Sequence, residues 1–301
     1  MLPAPFLKWA GGKRQLLSYI EARLPERIDT YFEPFMGGAA VFFRLAARRS
    51  FKRAVLADAN RDLIDCYKAV REDVEGVIVA LRKYRNDRDQ YYRVRAQEPE
   101  TMSGVERAAR VIYLNRCGYN GLYRVNSKGR FNVPFGRYKQ PVICDEDKLR
   151  AASAALSKAR LVCGDFTRIL GKVGPEDFIY FDPPYVPLSA TSSFTAYAKG
   201  QFGASDQERL AVVLRDLAQR KIPVLLSNSY CRQTQDLYLG FDQEKVPARR
   251  SINSVARGRG PIDEILVRSF DYPVAPPASV INLKVLARGS VGRRRRTRAE
   301  R

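Results

Sequence analysis

Histidine is absent from the 301 residues, and this absence removes several classes of chemistry. Ser-His-Asp and Cys-His catalysis both need an imidazole, and so do histidine-ligated metal sites. Cysteine is also scarce: the five cysteines are scattered, odd in number and never spaced C-x-x-C, which argues against a disulfide framework and a zinc site. We therefore expect a reducing, cytoplasmic environment, no metal, and chemistry that relies on carboxylates, tyrosines, lysines, backbone groups or a cofactor.

Long hydrophobic runs and acidic residues are also in short supply. No apolar run approaches the roughly 20 residues that cross a bilayer, and the N-terminus lacks the pattern of a secretory signal. Acidic residues number 32 against 53 lysines and arginines, which gives a net charge of +21. An excess this large predicts a polyanionic partner, and nucleic acid fits it better than a membrane surface.

Short apolar runs alternate with helical patterns along much of the chain. The strand candidates are residues 31–35, 53–58, 159–165, 178–182 and 221–229. This alternation indicates a parallel sheet with helices on both faces, and ligands bind such sheets at the carboxyl ends of the strands. Three candidates end on Asp58, Asp165 and Asp182. The sequence therefore predicts a ligand site at that edge.

Asp182 opens the tetrapeptide D-P-P-Y. Two prolines fix two φ angles and keep Asp182 and Pro183 out of the helical region. The resulting stiff turn presents a carboxylate, a backbone carbonyl and the aromatic face of Tyr185. These groups suit a planar ligand that carries an amino group. A rigid loop with a capped acid is the alternative, and the position at a strand end favours the functional interpretation.

Two Gly-Gly pairs precede this turn. In FLKWAGGKR, Trp9 and Lys13 flank one pair and could wrap a flat, charged ligand, although a lone tryptophan beside a turn is often simply buried. In EPFMGGAAVFF, Gly37 lets backbone approach a ligand at a helix start, but the full G-x-G-x-x-G fingerprint is missing. Asp58 can accept hydrogen bonds from a ribose, and it can also cap the helix that follows.

Residues 61–144 interrupt the alternation of strands and helices. Their first half is helical and heavily charged, and their second half contains N-S-K-G, a plausible hairpin turn. We interpret this stretch as an inserted domain. After about residue 272 the chain becomes Pro-rich and then basic, with the run Arg293–Arg296. We expect a mostly unfolded tail, either merely solvated or adding nonspecific DNA affinity.

Together these segments resemble the Dam-type DNA adenine N6-methyltransferases, which use S-adenosylmethionine. The resemblance covers roughly residues 5–270 in the order of the family: FLKWAGGKR, EPFMGGAAVFF, LADANRDLI, LNRCGYNGLYRVNSKGRFNVPFGRYK, DPPYVPLSATSSFTAY, PVLLSNS and RRSINS…DEIL. One departure is Ala39, where many relatives carry glycine. Alanine would be strained if the backbone there has a positive φ.

The resemblance implies an α/β fold: a Rossmann-like methyltransferase sheet with helices on both faces, plus an inserted helical and β-hairpin target-recognition domain. Residues 1–60 and 145–272 would form the catalytic domain, 61–144 the insertion and 273–301 the tail. It also implies that Trp9 and Lys13 flank S-adenosylmethionine, that Gly37 lies close to it and that Asp58 binds its ribose. Asp165 and Phe166 would hold its adenine.

The resemblance places Asp182 between the cofactor and the target base. The Asp182 carboxylate and the Pro183 carbonyl would accept hydrogen bonds from the adenine amino group, with Pro184 stiffening the turn and Tyr185 stacking on the base. A base inside a duplex cannot reach such a pocket, so it would flip out, which costs roughly a few kcal/mol.

The insertion would supply recognition of double-stranded DNA. The positions that match DNA-contacting positions of the family are Lys8, Tyr119, Asn120, Leu122, Arg124, Pro134 and Arg137. Arg124 could bind a guanine edge and Tyr119 could wedge into the base stack, whereas Arg137 would grip phosphate. GATC is the implied target, bound by a monomer in the cytoplasm, at the nucleoid. For Arg249 and Arg250 a packing role and a phosphate role stay open.

Two alternatives remain beside this interpretation. An adenine methyltransferase could act on RNA or on a different DNA site, since D-P-P-Y alone does not distinguish nucleic acids. A DNA-binding protein without catalysis is the other alternative, and the intact Asp182–Tyr185 and Trp9–Lys13 segments argue against it.

Overall fold

The structure is a computed structural model that describes residues 1–9, 11, 13, 15–188, 202–249 and 261–270. The strands are β1 Thr30–Glu33, β2 Arg53–Asp58, β3 Ala159–Cys163, β4 Phe178–Phe181, β5 Val224–Ser229, β6 Asp242–Arg249 and β7 Pro261–Arg268. The helices are α1 Leu17–Glu21, α2 Ala40–Ala47, α3 Arg61–Glu72, α4 Val74–Leu81, α5 Arg88–Ala96, α6 Gly104–Cys117, α7 Glu146–Leu156, α8 Ala204–Gln219 and α9 Arg232–Leu237. Short 3₁₀ helices span Pro99–Thr101, Tyr119–Gly121 and Phe166–Ile169.

The seven strands form one sheet in the order β3-β2-β1-β4-β5-β7-β6. The five predicted strands, β1 to β5, pair in parallel, whereas β7 is antiparallel to both β5 and β6. The predicted α/β sheet is therefore confirmed. The antiparallel pair was not predicted, because β6 is largely polar and carries no apolar run. The strand order reverses between β1 and β4, and this reversal is where doubly wound sheets bind ligands.

Alternate residues of each strand face opposite layers of helices. Tyr31 and Leu56 belong to the buried cluster that includes α2, α3, α6 and α7, whereas their neighbours Phe32 and Val55 belong to the cluster that includes α8. This alternation follows from the two-residue period of a strand. Helices on both faces are thus confirmed, and the carboxyl edge of the sheet is left for ligands.

The helices of residues 61–144 pack against the same core as one face of the sheet. Asn60 caps α3 by accepting a hydrogen bond from the backbone N–H of Leu63, and Ser103 and Glu106 form a capping box at the start of α6. Helix α3 contacts β2, β3 and α6, so it joins the sheet to the insertion. The helical character of this stretch is confirmed, and the domain boundaries at 60/61 and 144/145 stay a prediction.

The N-S-K-G segment forms the predicted hairpin turn. Val125 pairs antiparallel with Phe131, and the side chain of Asn126 accepts hydrogen bonds from the backbone N–H groups of Lys128 and Arg130. Gly129 has a φ of 76°, which suits glycine at this turn position.

Several sequence predictions fall outside the described residues. They concern the part of DPPYVPLSATSSFTAY after residue 188, Arg250, the SINS segment at 251–254 and the tail at 273–301; the side chain of Arg249 is likewise not described. Within the described ranges, no helix combines the length and the apolar composition that crossing a membrane requires.

Candidate active site

Asp182 lies at the carboxyl edge of the sheet, directly after β4. Its Oδ1 atom is 2.8 Å from Nζ of Lys13, and the hydroxyl of Ser227 donates a 3.2 Å hydrogen bond to the same oxygen. The Asp182 side chain is 20% exposed and that of Lys13 is 6% exposed. Burial raises the pKa of Asp182, and the charge of Lys13 opposes this rise. The carboxylate at this edge is therefore held by a buried cation.

Lys13 links three parts of this corner. Besides Asp182, its ammonium donates a 2.7 Å hydrogen bond to the Gly11 carbonyl and lies 4.7 Å from the centroid of the Tyr185 ring. The sequence placed Lys13 and Asp182 around the same ligand without predicting their ion pair. The ion pair shows that these two residues, which are distant in the sequence, lie next to each other in the folded chain.

Side chains from α8 and β5 hold the turn that begins at Asp182. Gln207 donates a 2.7 Å hydrogen bond to the Pro184 carbonyl, and Asn228 and Ser229 hold the backbone N–H and carbonyl of Val186. Within the described part of the chain, the Pro183 carbonyl has no such partner. The turn thus presents the Pro183 carbonyl and the Asp182 carboxylate side by side in sequence as hydrogen-bond acceptors.

The hydroxyl of Tyr185 donates a 2.6 Å hydrogen bond to Oε2 of Glu264 on β7. Burial raises the pKa of Glu264, and the charge of Lys13 opposes this rise. Burial also raises the pKa of Tyr185, so the phenol stays protonated and donates. The ring is therefore fixed at its far end by Glu264 and faces the Lys13 ammonium.

A second part of the edge lies between β1 and β2. The backbone N–H of Gly37 donates a 3.0 Å hydrogen bond to Oδ2 of Asp58, and the Asn60 N–H donates a 2.8 Å bond to Oδ1. Burial raises the pKa of Asp58, and these two hydrogen bonds oppose the rise. The alternative role of Asp58 as helix cap is wrong, because Asn60 is the N-cap of α3.

The backbone at Gly37 has room for nothing larger than glycine. Its φ is 45°, and a Cβ there would lie 2.9 Å from Cδ1 of Trp9. Ala39 also has a positive φ, of 52°, so the strain anticipated for an alanine at this position is confirmed. The glycine cradle beneath the Trp9 indole, together with the Asp58 carboxylate, fits a nucleoside whose ribose needs hydrogen-bond acceptors.

Asp165 and Phe166 lie after β3, at the start of a 3₁₀ helix. Oδ2 of Asp165 is 2.7 Å from the guanidinium of Arg209, and that guanidinium lies 4.6 Å from the centroid of the Phe166 ring. Phe35 stacks with Phe166 at a centroid distance of 5.3 Å. Phe166 is 3% exposed, and both oxygens of Asp165 accept hydrogen bonds, Oδ1 from Thr167 and Oδ2 from Arg209. A role of these two residues in binding an adenine therefore stays a prediction.

The predicted DNA-contacting residues lie mainly on the surface. Lys8, Asn120, Arg124, Pro134 and Arg137 are exposed, Tyr119 is 46% exposed and Leu122 is half-buried. The Tyr119 N–H donates a hydrogen bond to the Pro134 carbonyl, which joins the two arms of the hairpin region.

Arg124 is steered by a neighbour across the hairpin. Its Nε donates a 2.7 Å hydrogen bond to Oδ1 of Asn132, and Nη2 donates a 3.2 Å bond to the Asn132 carbonyl. A guanidinium has five N–H groups, so three remain available to a ligand. This arrangement can present a fork to a planar acceptor pair.

The structure adds residues that the sequence reasoning missed. They are Glu33, Asn115, Tyr123, Arg209, Ser227 and Glu264. Glu33 ends β1 just as the three aspartates end their strands, so the same rule would have found it. Ser227 had a signal too, since it is a polar residue inside the otherwise apolar run of β5. The contact of Glu264 with Tyr185 had no signal, because it depends on the unpredicted β7.

Comparisons with known proteins identify the family of the chain. The family of D12 class N6 adenine-specific DNA methyltransferases matches residues 9–252. The chain is 44% identical over 285 residues to the type II methyltransferase M.MjaIII of Methanocaldococcus jannaschii, an alignment that covers 88% of this chain and 99% of that protein.

Two further relatives match over similar lengths. The type II methyltransferase M1.LlaDCHI of Lactococcus lactis subsp. cremoris is 41% identical, with 88% of this chain and 95% of that protein covered. The DNA adenine methylase of Escherichia coli strain K12 is 38% identical, with 90% and 97% covered. The chain therefore belongs to the D12 class of N6 adenine-specific DNA methyltransferases, and it is an enzyme that methylates adenine in DNA with S-adenosylmethionine as methyl donor.

Proposed function

We propose that the enzyme methylates N6 of an adenine that has flipped out of double-stranded DNA, within the sequence GATC. The observation that carries the assignment of the reacting corner is the Asp182–Pro183 acceptor pair at the strand-order reversal of the sheet, next to the ring of Tyr185. The GATC target rests on the resemblance of the 115–138 segment to the Dam-type enzymes.

The residues at the carboxyl ends of β1, β2 and β3 would hold the methyl donor, together with Trp9. Asp58 would accept hydrogen bonds from the ribose hydroxyls, and Gly37 would let the backbone approach the donor beneath Trp9. Asp165 and Phe166 would hold its adenine. When bound, S-adenosylmethionine supplies an electrophilic methyl group on its sulfonium.

The amino group of adenine is a poor nucleophile because its lone pair is delocalised into the ring. Hydrogen bonds from this group to the Asp182 carboxylate and the Pro183 carbonyl would localise the lone pair on nitrogen. Lys13 and Ser227 both contact Oδ1 of Asp182, so we assign Oδ2 to the adenine. Pro183 and Pro184 keep the two acceptors in fixed positions, so they need no reorganisation during the reaction.

Tyr185 would stack on the flipped base, and its hydrogen bond to Glu264 fixes the angle of the ring. Stacking positions the amino nitrogen in line with the methyl group, and such positioning is a large part of catalysis. After methyl transfer the nitrogen releases a proton. The Asp182 carboxylate, which already accepts a hydrogen bond from that nitrogen, would take up this proton.

The exposed hairpin residues would read the duplex. Arg124 would donate two hydrogen bonds to a guanine edge, and Arg137 would bind phosphate. Tyr119 would fill the gap that the flipped base leaves, and Lys8, Asn120, Leu122 and Pro134 would contact bases nearby. We further propose that the enzyme acts as a monomer, in the cytoplasm, on the DNA of the nucleoid.

Sequencing of methylated DNA tests this function directly. The gene is expressed in a host that lacks adenine methylation, with an Asp182→Asn variant in parallel, and N6-methyladenine is mapped by single-molecule sequencing. We expect methylation at GATC with the wild-type enzyme and background levels with the variant. Methylation confined to another sequence would overturn the GATC target alone, and methylation by Asp182→Asn at the wild-type level would overturn the role of Asp182.

A further inference from the structure

The segment with Lys8 and Trp9 lies against the segment that carries the predicted DNA-contacting residues, and two side chains join them, the buried Asn115 and the half-buried Tyr123. The recognition turn is defined here as residues 119–124. From the contacts of Asn115 and Tyr123 we infer that these two residues couple binding of the methyl donor to binding of the DNA. The inference rests on the proposed function, because it takes Trp9 as a donor-binding residue and the recognition turn as a DNA-binding one.

Asn115, in the last turn of α6, is 4% exposed and uses its whole amide group. Its Oδ1 accepts a 2.8 Å hydrogen bond from the Lys8 N–H, and its Nδ2 donates a 2.7 Å bond to the Lys8 carbonyl. The same Nδ2 donates a 2.9 Å bond to the Gly121 carbonyl. One side chain therefore holds the backbone next to Trp9 and the recognition turn at the same time.

Lys8 packs closely against Gly121, so the two segments are in direct contact. Gly121 has a φ of 63°, and a Cβ there would lie 2.6 Å from both Cβ and Cδ of Lys8. A displacement of the recognition turn toward or away from this segment must therefore displace the Lys8 backbone as well. Since Trp9 is the next residue, such a displacement reaches the donor site.

Tyr123 forms the second connection. Its ring packs on the indole of Trp9 at a centroid distance of 5.5 Å, and its hydroxyl donates to Oδ2 of Asp62 in the first turn of α3. Trp9 in turn packs against Gly37. The neighbours of Tyr123 in the chain are Leu122 and Arg124, both assigned to DNA. A side chain between two DNA-contacting residues thus lies directly on the donor side of the protein.

These contacts have a thermodynamic consequence. A ligand that restrains Trp9 also restrains Tyr123 and the Lys8 backbone, so part of the entropy cost of fixing the recognition turn has already been met when the second ligand binds. The coupling is reciprocal: DNA must strengthen donor binding by the same factor by which the donor strengthens DNA binding. Asn115 and Tyr123 are therefore positioning residues, which act through Lys8 and Trp9 rather than by touching either ligand.

Calorimetry measures this coupling without turnover. The probe is S-adenosylhomocysteine, which cannot donate a methyl group, and its Kd is determined with and without a saturating duplex that contains GATC. For the wild-type enzyme we expect the duplex to lower this Kd on the order of tenfold, within the usual range of such couplings. Tyr123→Leu should reduce the factor to about twofold or less, because the ring contact with Trp9 is lost.

Asn115→Asp is the second variant. It keeps the shape of the side chain but replaces the two donated hydrogen bonds by repulsion between the carboxylate and the carbonyls of Lys8 and Gly121, so the factor should fall in the same way. Lys128→Gln is the control in the same hairpin: Lys128 is exposed and lies outside the recognition turn, so this variant should keep the coupling factor of the wild type. Thermal unfolding of each variant establishes whether it is folded. If Asn115→Asp does not fold, the result for Tyr123→Leu decides the outcome.

The outcomes separate the two proposals. Independent binding of both ligands to the wild-type enzyme, or a full coupling factor in the folded variants, would overturn this inference and leave the proposed function standing. Failure of the wild-type enzyme to bind either probe would instead overturn the proposed function.

Discussion

The reacting corner and the recognition turn are built in opposite ways. At the corner, Asp182 is 20% exposed, Lys13 is 6% exposed, and Ser227 also binds the carboxylate. On the recognition turn, Tyr119 is 46% exposed and the side chain of Arg124 is exposed and donates hydrogen bonds to Asn132. The corner has its groups fixed before a ligand arrives, whereas the turn leaves its donors exposed at the surface.

This difference matches what each region has to do. Fixed dipoles and charges shielded from water stabilise a developing charge without reorganisation, and they are effective because the local dielectric constant is low. Recognition of a duplex needs cations that exchange counterions and adapt to base edges, and most of its affinity comes from exposed charge. Substitutions at the corner should therefore change rate, and substitutions on the turn should change affinity and sequence preference.

The largest effect is expected for Asp182→Asn. Loss of the carboxylate charge should lower the rate of methyl transfer by on the order of 10³-fold, comparable to removal of a preorganised electrostatic group in other enzymes. Duplex affinity should stay within about twofold, since most of that affinity is assigned to exposed cations. Single-turnover kinetics and fluorescence anisotropy measure the two quantities.

Asparagine is preferred here to alanine because it keeps the volume of the side chain and an oxygen that can accept hydrogen bonds from Lys13 and Ser227, whereas alanine would leave a cavity and no acceptor. Equal losses of rate and duplex affinity in Asp182→Asn would contradict the division of labour between the two regions.

The next effect concerns stability and pH at the buried side of the comparison. Burial raises the pKa of Glu33 to about 8 from its ordinary 4.5, although the hydroxyl of Tyr31 donates to it. Between these two values the folded state holds a proton that the unfolded state has released. The free energy of unfolding must therefore fall as pH rises through this window, by up to about 1.4 kcal/mol per pH unit.

Glu33→Gln cannot titrate, so it should lack this component of the pH dependence. Urea unfolding of both proteins between about pH 5 and about pH 8 should show the variant gaining stability relative to the wild type as pH rises. Parallel stability curves for the two proteins across that range would show that Glu33 does not retain its proton on folding.

Arg124→Ala sharpens the other side of the comparison. Removal of the guanidinium should relax the preference at one base pair of the site by about 1–3 kcal/mol, while the single-turnover rate on the best site stays near that of the wild type. Competition binding with duplexes that vary each position of GATC measures the preference.

Arg124→Lys keeps the charge and loses the planar fork, so it should retain affinity and lose discrimination. An unchanged order of site preference in both variants would exclude base readout by this side chain.

The same contrast explains what the sequence could and could not predict. The parallel strands and the acids at their ends were predictable, because apolar runs and strand-terminal carboxylates are local patterns and parallel strands bring their carboxyl ends to one edge. The hydrogen bond that the Tyr185 hydroxyl donates to Glu264 was not predictable, because it requires β7 to lie antiparallel beside β5.

The contacts of Asn115 were hidden for a different reason. Those with Lys8 join residues 107 positions apart in the chain, and a single buried asparagine has no periodicity that would mark its partners. The ion pair between Lys13 and Asp182 also joins distant positions, although each residue was assigned to the site on its own motif. Local patterns therefore indicated candidate members of the site, and the tertiary structure was needed to show which of them touch.

The smallest effect is expected for Arg137→Gln. This variant tests whether one exposed arginine binds phosphate while another, Arg124, reads a base. Arg137 is exposed, and nothing in the described part of the chain pairs with its guanidinium, unlike Arg124. If it binds one phosphate, its loss should lower the slope of log K against log salt by about 0.9, equally for every sequence. Between about 50 and 200 mM salt this change amounts to about threefold in relative affinity. A salt titration of Arg137→Gln beside Arg124→Ala separates the two roles, because only the second should alter base preference. A change of site preference in Arg137→Gln, with an unchanged salt slope, would assign this residue to base readout and erase the distinction between the two arginines.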